Sequence, residues 1–261
     1  MNKHEEFKKQ YKREKYKIIG FQILFVILFL GFWELATSIK IIDEFLVSKP
    51  SAIIKLLYQY IISKEIFVHI GISLFETLLG LIIGTLLGIL FAILLWLSKT
   101  LTKILDPFLV VLNALPKTAL APILIIWAGT GIKGIVVVAI SLSLIMTIIS
   151  AHNFFIHVDE DKIKMLKTLG ANKFQILCKL ILPANVVNLL SIIKINIGMA
   201  WVGVIVGEFL VSRFGIGYLV VYGGQVFKLD LVMMGVLILA ILAYLMYLIV
   251  NIFEKIYRKR R

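Results

Sequence analysis

Apolar residues run in long blocks separated by short polar stretches. Blocks near 18–36, 71–97, 105–128, 132–154, 186–211 and 231–253 each supply about the 20 apolar residues that a helix needs to cross hydrocarbon. The pattern predicts an all-α membrane protein with about six transmembrane helices. Between the first two blocks, Ser48-Lys49-Pro50-Ser51 precedes Ile53, Ile54, Leu57 and Ile61 at helical spacing. Proline suits a first helical turn, so a short helix is expected there, lying on the outer surface or partly buried in a loop.

One stretch breaks the apolar pattern, the charged island from Val158 to Pro183. Asp159, Glu160 and Asp161 would open a helix and Lys164 and Lys167 close it, matching the helix dipole at both ends. Gly170 can take the left-handed conformation that stops a helix sharply. Asn172 followed by Gln175 predicts a capping box for a second helix, with Phe174, Leu177, Cys178 and Ile181 on one face and Pro183 marking return to the membrane. Two short amphipathic helices around a glycine hinge suit either docking onto a cytoplasmic motor or floating at the lipid interface.

Within the spans, Gly80, Gly84 and Gly88 share one helix face and predict a close-packing seam, with a glycine-lined pore as the alternative. The third span starts at Asp106-Pro107 and carries Asn113, Pro116, Lys117, Thr118 and Pro122. Interior prolines remove backbone hydrogen bonds, so a bent helix beside a path is expected, or a kinked structural helix with Lys117 snorkelling. Glu76, Lys194 and Glu208 are costly intramembrane charges that tend to face a bundle interior or a cavity. Glu208 and Lys194 lie about 21 Å apart along one helix and should not pair. The candidate path residues are Glu76, Asn113, Pro116, Lys117, Pro122, Trp127 and Glu208.

Composition agrees, with 61% hydrophobic residues and a mean hydropathy of +1.00. The formal charge of +13 would suit nucleic acid, but its distribution points to a bilayer. With the N-terminus inside, the inner segments hold nineteen of the lysines and arginines counted and the outer ones seven. This is the positive-inside pattern and puts both termini and the island in the cytoplasm. A basic tail at 1–17, one membrane domain at 18–254 containing the loop 158–183, and a basic tail at 255–261 follow. The first block reads as a retained span rather than a cleaved signal.

Candidate chemistry is sparse. Cys178 is alone, and His4, His69, His152 and His157 have no metal-site spacing, so neither a disulfide nor a metal is expected. No G-x-x-x-x-G-K-[ST] is present to cradle phosphate, and no nucleophile, base and acid stand together, so no enzyme activity is expected of this chain. Tyr222-Gly223-Gly224-Gln225 echoes part of an ATPase signature but falls on the outer side and reads as a flexible loop.

Gly170, nine residues, then Leu180-Ile181-Leu182-Pro183 resembles the EAA loop of ATP-binding-cassette (ABC) importer permeases, with Lys164-Met165-Leu166 in place of Glu-Ala-Ala and Leu180 in place of Ile. Ala114–Gly129, Gly207-Glu208, Phe214–Leu219 and Lys49-Pro50-Ser51 are similar to the nitrate, sulfonate and taurine permease subfamily, although Val47 replaces a proline. The resemblance implies a type I ABC importer (MetI-like) permease fold and a homodimer. It also implies a cytoplasmic ATPase dimer, which carries the ATP and magnesium, and an extracytoplasmic substrate-binding protein. By the same resemblance, Asp159, Lys164, Met165, Leu166, Gly170, Ala171, Phe174, Leu177, Leu182 and Pro183 form the ATPase-coupling set. The substrate would be a small anion such as a sulfonate, taurine or nitrate, or alternatively a vitamin or thiamine precursor. A secondary transporter would call for paired intramembrane carboxylates or inverted repeats, which the sequence does not display convincingly.

Overall fold

A computed structural model describes residues 3–259, apart from the side chains of residues 3–12, Lys15 and Leu46. The described residues are helical, with no strand among them. Helix α1 (Lys3–Ser38) is followed by α2 (Glu44–Val47), α3 (Pro50–Ile62) and α4 (Glu65–Leu97). Next come α5 (Lys99–Ala114), a 3₁₀ turn (Lys117–Leu120), α6 (Ala121–Ala128) and α7 (Ile132–Ile156). The chain continues through α8 (Glu160–Thr168), α9 (Lys173–Ile176), a π turn (Leu177–Ile181) and α10 (Leu182–Val211). Helices α11 (Ile216–Gln225) and α12 (Leu229–Lys259) complete it. Five helical stretches are long and apolar enough to cross a membrane, or six if the bent pair α5–α6 counts as one.

The centre is the packing of α4 on α7. Gly80 meets Ala139, Gly84 meets Ser143 and the Ile140 backbone, and Gly88 meets Thr147. The predicted glycine face is therefore a packing seam and not a pore lining. Contact positions rise together along both helices, so α4 and α7 run parallel, and the chain must cross the membrane once between them. Only α5 and α6 lie in that interval, so they make that crossing. Helix α10 runs the other way against α7, with Gly203 over Ala139 and Gly207 over Ile135. Asn196 at the meeting of the three helices donates to Thr85 Oγ1 at 2.8 Å and Thr147 Oγ1 at 2.6 Å.

The third crossing is bent more sharply than one continuous kinked span over 105–128. Its two pieces meet at 89°, and the three prolines act differently. Pro107 sits inside α5. Pro116 falls at the break, where Lys117 folds back and donates to Asn113 O at 3.0 Å, closing one of the carbonyls left at the end of α5. Pro122 lies in the first turn of α6, where a missing N–H costs little.

Helix α1 runs from the basic stretch straight into the first span, so residues 3–17 are helical; residues 1, 2, 260 and 261 lie outside the described residues. Its outer end is pinned. Trp33 Nε1 donates to Ser48 O at 3.2 Å, and the Glu34 carboxylate accepts from Ser51 N at 3.0 Å and Ser51 Oγ at 2.7 Å. Glu34 thus closes the N-terminus of α3, where a carboxylate also complements the helix dipole. A Lys49–Glu44 ion pair at 2.8 Å closes the corner before it, and the hydrogen bond to Glu44 raises the Lys49 pKa. Of the two placements expected for this short helix, the partly buried one holds. Ile53 is buried with Ile66, Ile216, Leu219, Leu231 and Met234, tying α3 to α4, α11 and α12. Tyr222–Gln225 is not a loop either: it is the last turn of α11, with Gly223 against the start of α12.

Enlarging Gly84 should force α4 from α7. We expect Gly84→Val to lower stability by about 2 kcal/mol, the usual scale of overpacking, and Gly71→Ala, where nothing lies within 4 Å, to change it little. Thermal unfolding of the purified protein in detergent checks both.

Candidate functional site

The charged island forms by local rules. Asp159 Oδ1 accepts from Asp161 N at 3.0 Å and caps α8, whose first turn carries Glu160 and Asp161. The helix ends in a Schellman arrangement, with Ala171 N donating to Leu166 O and Gly170 N to Lys167 O, both at 3.0 Å. Gly170 takes φ +81, a conformation that any L side chain would strain. Asn172 and Gln175 make the reciprocal capping box, at 2.8 Å and 2.9 Å.

Beyond the box the structure departs from expectation. The second helix does not stop at Pro183 but continues as one apolar span, Lys173–Val211. A proline ring inside a regular α-helix clashes with the carbonyl four residues back. Here the turn before Pro183 widens into a π turn, with Leu182 N donating to Leu177 O, five residues back. The helix therefore passes Pro183 without breaking.

The island has two faces. Ile176, Leu177 and Ile181 are buried with Ala92, Ala151, Phe155 and Ile192 at the inner ends of α4, α7 and α10, and Ile163, Leu166, Ala171 and Leu182 pack on that cluster. Met165, Leu169 and Phe174 point outward, 56%, 75% and 66% exposed. Leu177 and Ile181 thus turn inward while Phe174 and Cys178 turn outward, so the expected single face is split. Of the ten residues in the coupling set, Asp159, Lys164, Met165, Gly170 and Phe174 are exposed and the rest are buried or half-buried. Leu169, outside that set, shares the exposed face and follows Met165 by one helical turn. Lys164 is answered within its own helix by Asp161 at 3.1 Å and Glu160 at 4.0 Å, exposed pairs of small energetic weight.

The intramembrane charges separate into two groups. Glu76 and Glu208, each 1% exposed, sit together in a closed outer knot instead of on an open path. The Glu208 carboxylate accepts from Ser73 Oγ at 2.5 Å, Gly217 N at 2.6 Å and Tyr218 N at 3.3 Å. Ser73 Oγ in turn accepts from Ile216 N at 2.8 Å, and His69 Nδ1 lies 3.0 Å from Gly215 N. Glu208 is thereby the N-terminal cap of α11 and joins it to α4 and α10. A side chain at Gly215, φ +105, would overlap the Glu208 carboxyl, which explains the glycine. Neither Glu76 oxygen has a hydrogen-bond donor among the described residues, and the Glu76 carboxyl lies within reach of that of Glu208. The polar and small stripe His69, Ser73, Glu76, Thr77, Gly80 on α4 carries the signal for this knot at helical spacing.

Lys194 avoids Glu208, as expected, and its true partners come from α12. It pairs with Glu254, donates to Asn251 Oδ1 at 3.0 Å and lies 5.3 Å from the centre of the Tyr247 ring. Arg258 adds a second cation to Glu254 at 2.7 Å. The remaining path candidates lie on the broken crossing. Asn113, Pro116, Pro122 and Trp127 are exposed, Trp127 at 79%, and Lys117 is half-buried.

The knot should tolerate a donor and not a truncation. We expect Glu208→Ala, which strips acceptors from Ser73, Gly217 and Tyr218, to cost about 2 to 3 kcal/mol. Glu76→Gln brings an N–H toward Glu208 and should leave stability unchanged or raised. Thermal melting of the two variants in one detergent measures the contrast.

Comparison with known proteins adds three likenesses. The pattern of the binding-protein-dependent transport system inner membrane component matches residues 84–261. The SsuC protein of Bacillus subtilis (strain 168), named for aliphatic sulfonates transport, is 28% identical over 87% of this chain and 82% of its own. The riboflavin transport system permease protein RibX of Chloroflexus aurantiacus is 28% identical over 94% and 91% respectively. In fold, the chain resembles one from the MetNI methionine ABC transporter at a TM-score of 0.57 and 16% identity, covering 76% of this chain and 96% of that one.

Proposed function

From the premise that this chain belongs to the binding-protein-dependent transport system inner membrane components, we infer how its parts serve transport. It is the multi-pass permease subunit of an ATP-driven importer in the cell membrane, with hydrolysis performed by a separate subunit. The finer assignments rest on the geometry of its two ends.

At the cytoplasmic end, the island meets the ATPase dimer, which carries the ATP and magnesium. The observation that carries this reading is the outward display of Met165, Leu169 and Phe174 on a rigidly capped element. Lys164-Met165-Leu166 lacks a carboxylate, so docking rests on apolar contact and shape. The widened turn at Leu177–Ile181 makes the island and the span Lys173–Val211 one body. A push on Phe174 is thereby passed along α10 to the knot at Glu208. Such a lever suits alternating access, in which closure of the ATPase dimer rocks the spans and opens the path outward.

The path lies along the broken crossing, between this chain and a second copy of itself. Asn113 and Lys117 stand at the break, and an external binding protein delivers substrate to the outer side. A lysine at that point favours a small anion such as a sulfonate, taurine or nitrate. The 94% coverage by the RibX match supports the second reading, a vitamin-like substrate.

Replacing Leu169 and Phe174 together by serine tests the docking claim. Both are exposed, so folding should be kept, while retention of the ATPase on affinity-tagged permease should fall at least about tenfold, the loss expected when two apolar anchors are removed. Undiminished retention, in a variant with unchanged melting, would overturn the docking assignment.

A further inference from the structure

A cavity of about 520 Å³ opens between the α4–α5 elbow and the island, at the cytoplasmic ends of the helices. Lys99 and Lys103 reach into it from α5, Lys164 and Lys167 from α8, and Lys173 from the start of α9. Glu160 is the only carboxylate in the lining, and its charge is engaged with Lys164 at 4.0 Å. Lys173 Nζ donates to Leu97 O at 3.4 Å. Lys99, Lys103 and Lys167 have no ion pair or side-chain hydrogen bond among the described residues. With Lys164 answered by Asp161 at 3.1 Å and by Glu160, the ammonium groups of Lys99, Lys103, Lys167 and Lys173 leave the cavity with a positive field, and none of the coupling contacts proposed above requires Lys99 or Lys103.

The walls are built rather than incidental. Ser98 caps α5 by accepting from Leu101 N at 3.2 Å, and Thr102 Oγ1 donates to Leu95 O at 2.7 Å. These bonds fix the elbow that carries Lys99 and Lys103. Behind the lysines the lining turns apolar, with Trp96, Ile156, Ile163 and Ile176. Near the elbow, Phe91 and Leu94 on α4 and Ile104 and Phe108 on α5 are exposed. Positive charge at the headgroup level, an interfacial tryptophan and adjoining exposed hydrocarbon match one ligand chemistry, an amphiphile with a phosphate head.

We propose that this cavity binds the phosphate headgroup of an anionic phospholipid from the cytoplasmic leaflet, with Lys99, Lys103 and Lys167 as its principal cationic contacts. Acyl chains then lie along the exposed faces of α4 and α5. The bound lipid bridges the elbow and α8, bracing the island from the membrane side. Binding of the lipid does not depend on the ATPase assignment, because each contact belongs to this chain.

The test uses the full-length chain purified with its ATPase in mild detergent and titrated with phosphatidylglycerol or phosphatidylcholine, retained lipids being counted by native mass spectrometry. The wild type should hold phosphatidylglycerol in preference to phosphatidylcholine. Replacing Lys99, Lys103 and Lys167 by glutamine should weaken phosphatidylglycerol binding on the order of a hundredfold, from about 1 kcal/mol per lysine at a membrane surface. The same three positions as arginine should keep it, and glutamine at the outer Lys55, Lys133 and Lys228 should change nothing. Equal phosphatidylglycerol retention by the glutamine variant would overturn the proposal. Displacement of the lipid by equimolar inorganic phosphate would also overturn it and mark a soluble-anion site.

Discussion

The architecture depends on how closely two parallel helices approach. Gly80, Gly84 and Gly88 let α4 settle against Ala139, Ser143 and Thr147 of α7, in a solvent where apolar side chains gain nothing by leaving lipid for protein. Close backbone contact supplies what the hydrophobic effect cannot. Because the two helices run the same way, the short interval between them must return across the membrane. The break at Pro116 is how it does so, and it leaves Asn113 and Lys117 at the bend. The seam thus sets the packing, the topology and the place where a path can form.

Two polar clusters then fix α10 at its outer end and its middle. Glu208 and Ser73 close the outer end over the first turn of α11, and Lys194 with Glu254, Asn251 and Arg258 ties the middle of the helix to α12. Two residues beyond Lys194, Asn196 ties α10 to both members of the glycine seam. The inner end is held instead by apolar packing of Ile176, Leu177 and Ile181 with Ala92, Ala151, Phe155 and Ile192, and the charged island is continuous with that end of the helix.

Features governed by neighbours a few residues apart were legible in the sequence. The Asp159 cap, the stop at Gly170 and the Asn172–Gln175 box depend on spacing alone, as does the glycine face of α4. Features that need a second helix were not. Nothing near Lys194 announces Glu254, sixty residues on. Glu208 carries the same charge whether it lines a path or caps a helix, and only the arrival of Ser73 and Gly217 decides. Pro183 misled for another reason: a proline signals the end of a regular helix, and a π turn removes the conflict that makes it one. The split of the island into buried Leu177 and exposed Phe174 likewise depends on where Ala92 of α4 and Ala151 and Phe155 of α7 arrive.

In the proposed mechanism, force enters through the exposed face of the island and is passed along α10. Disulfide trapping tests it directly, with cysteine placed singly at Phe174 or Leu177 in a Cys178→Ser background and scanned against cysteines on the ATPase in membranes. Phe174→Cys should cross-link to the ATPase, in a manner altered by ATP, and Leu177→Cys should not. Cross-linking from Leu177→Cys with none from Phe174→Cys, or labelling of Phe174→Cys from the outer side of the membrane, would contradict it.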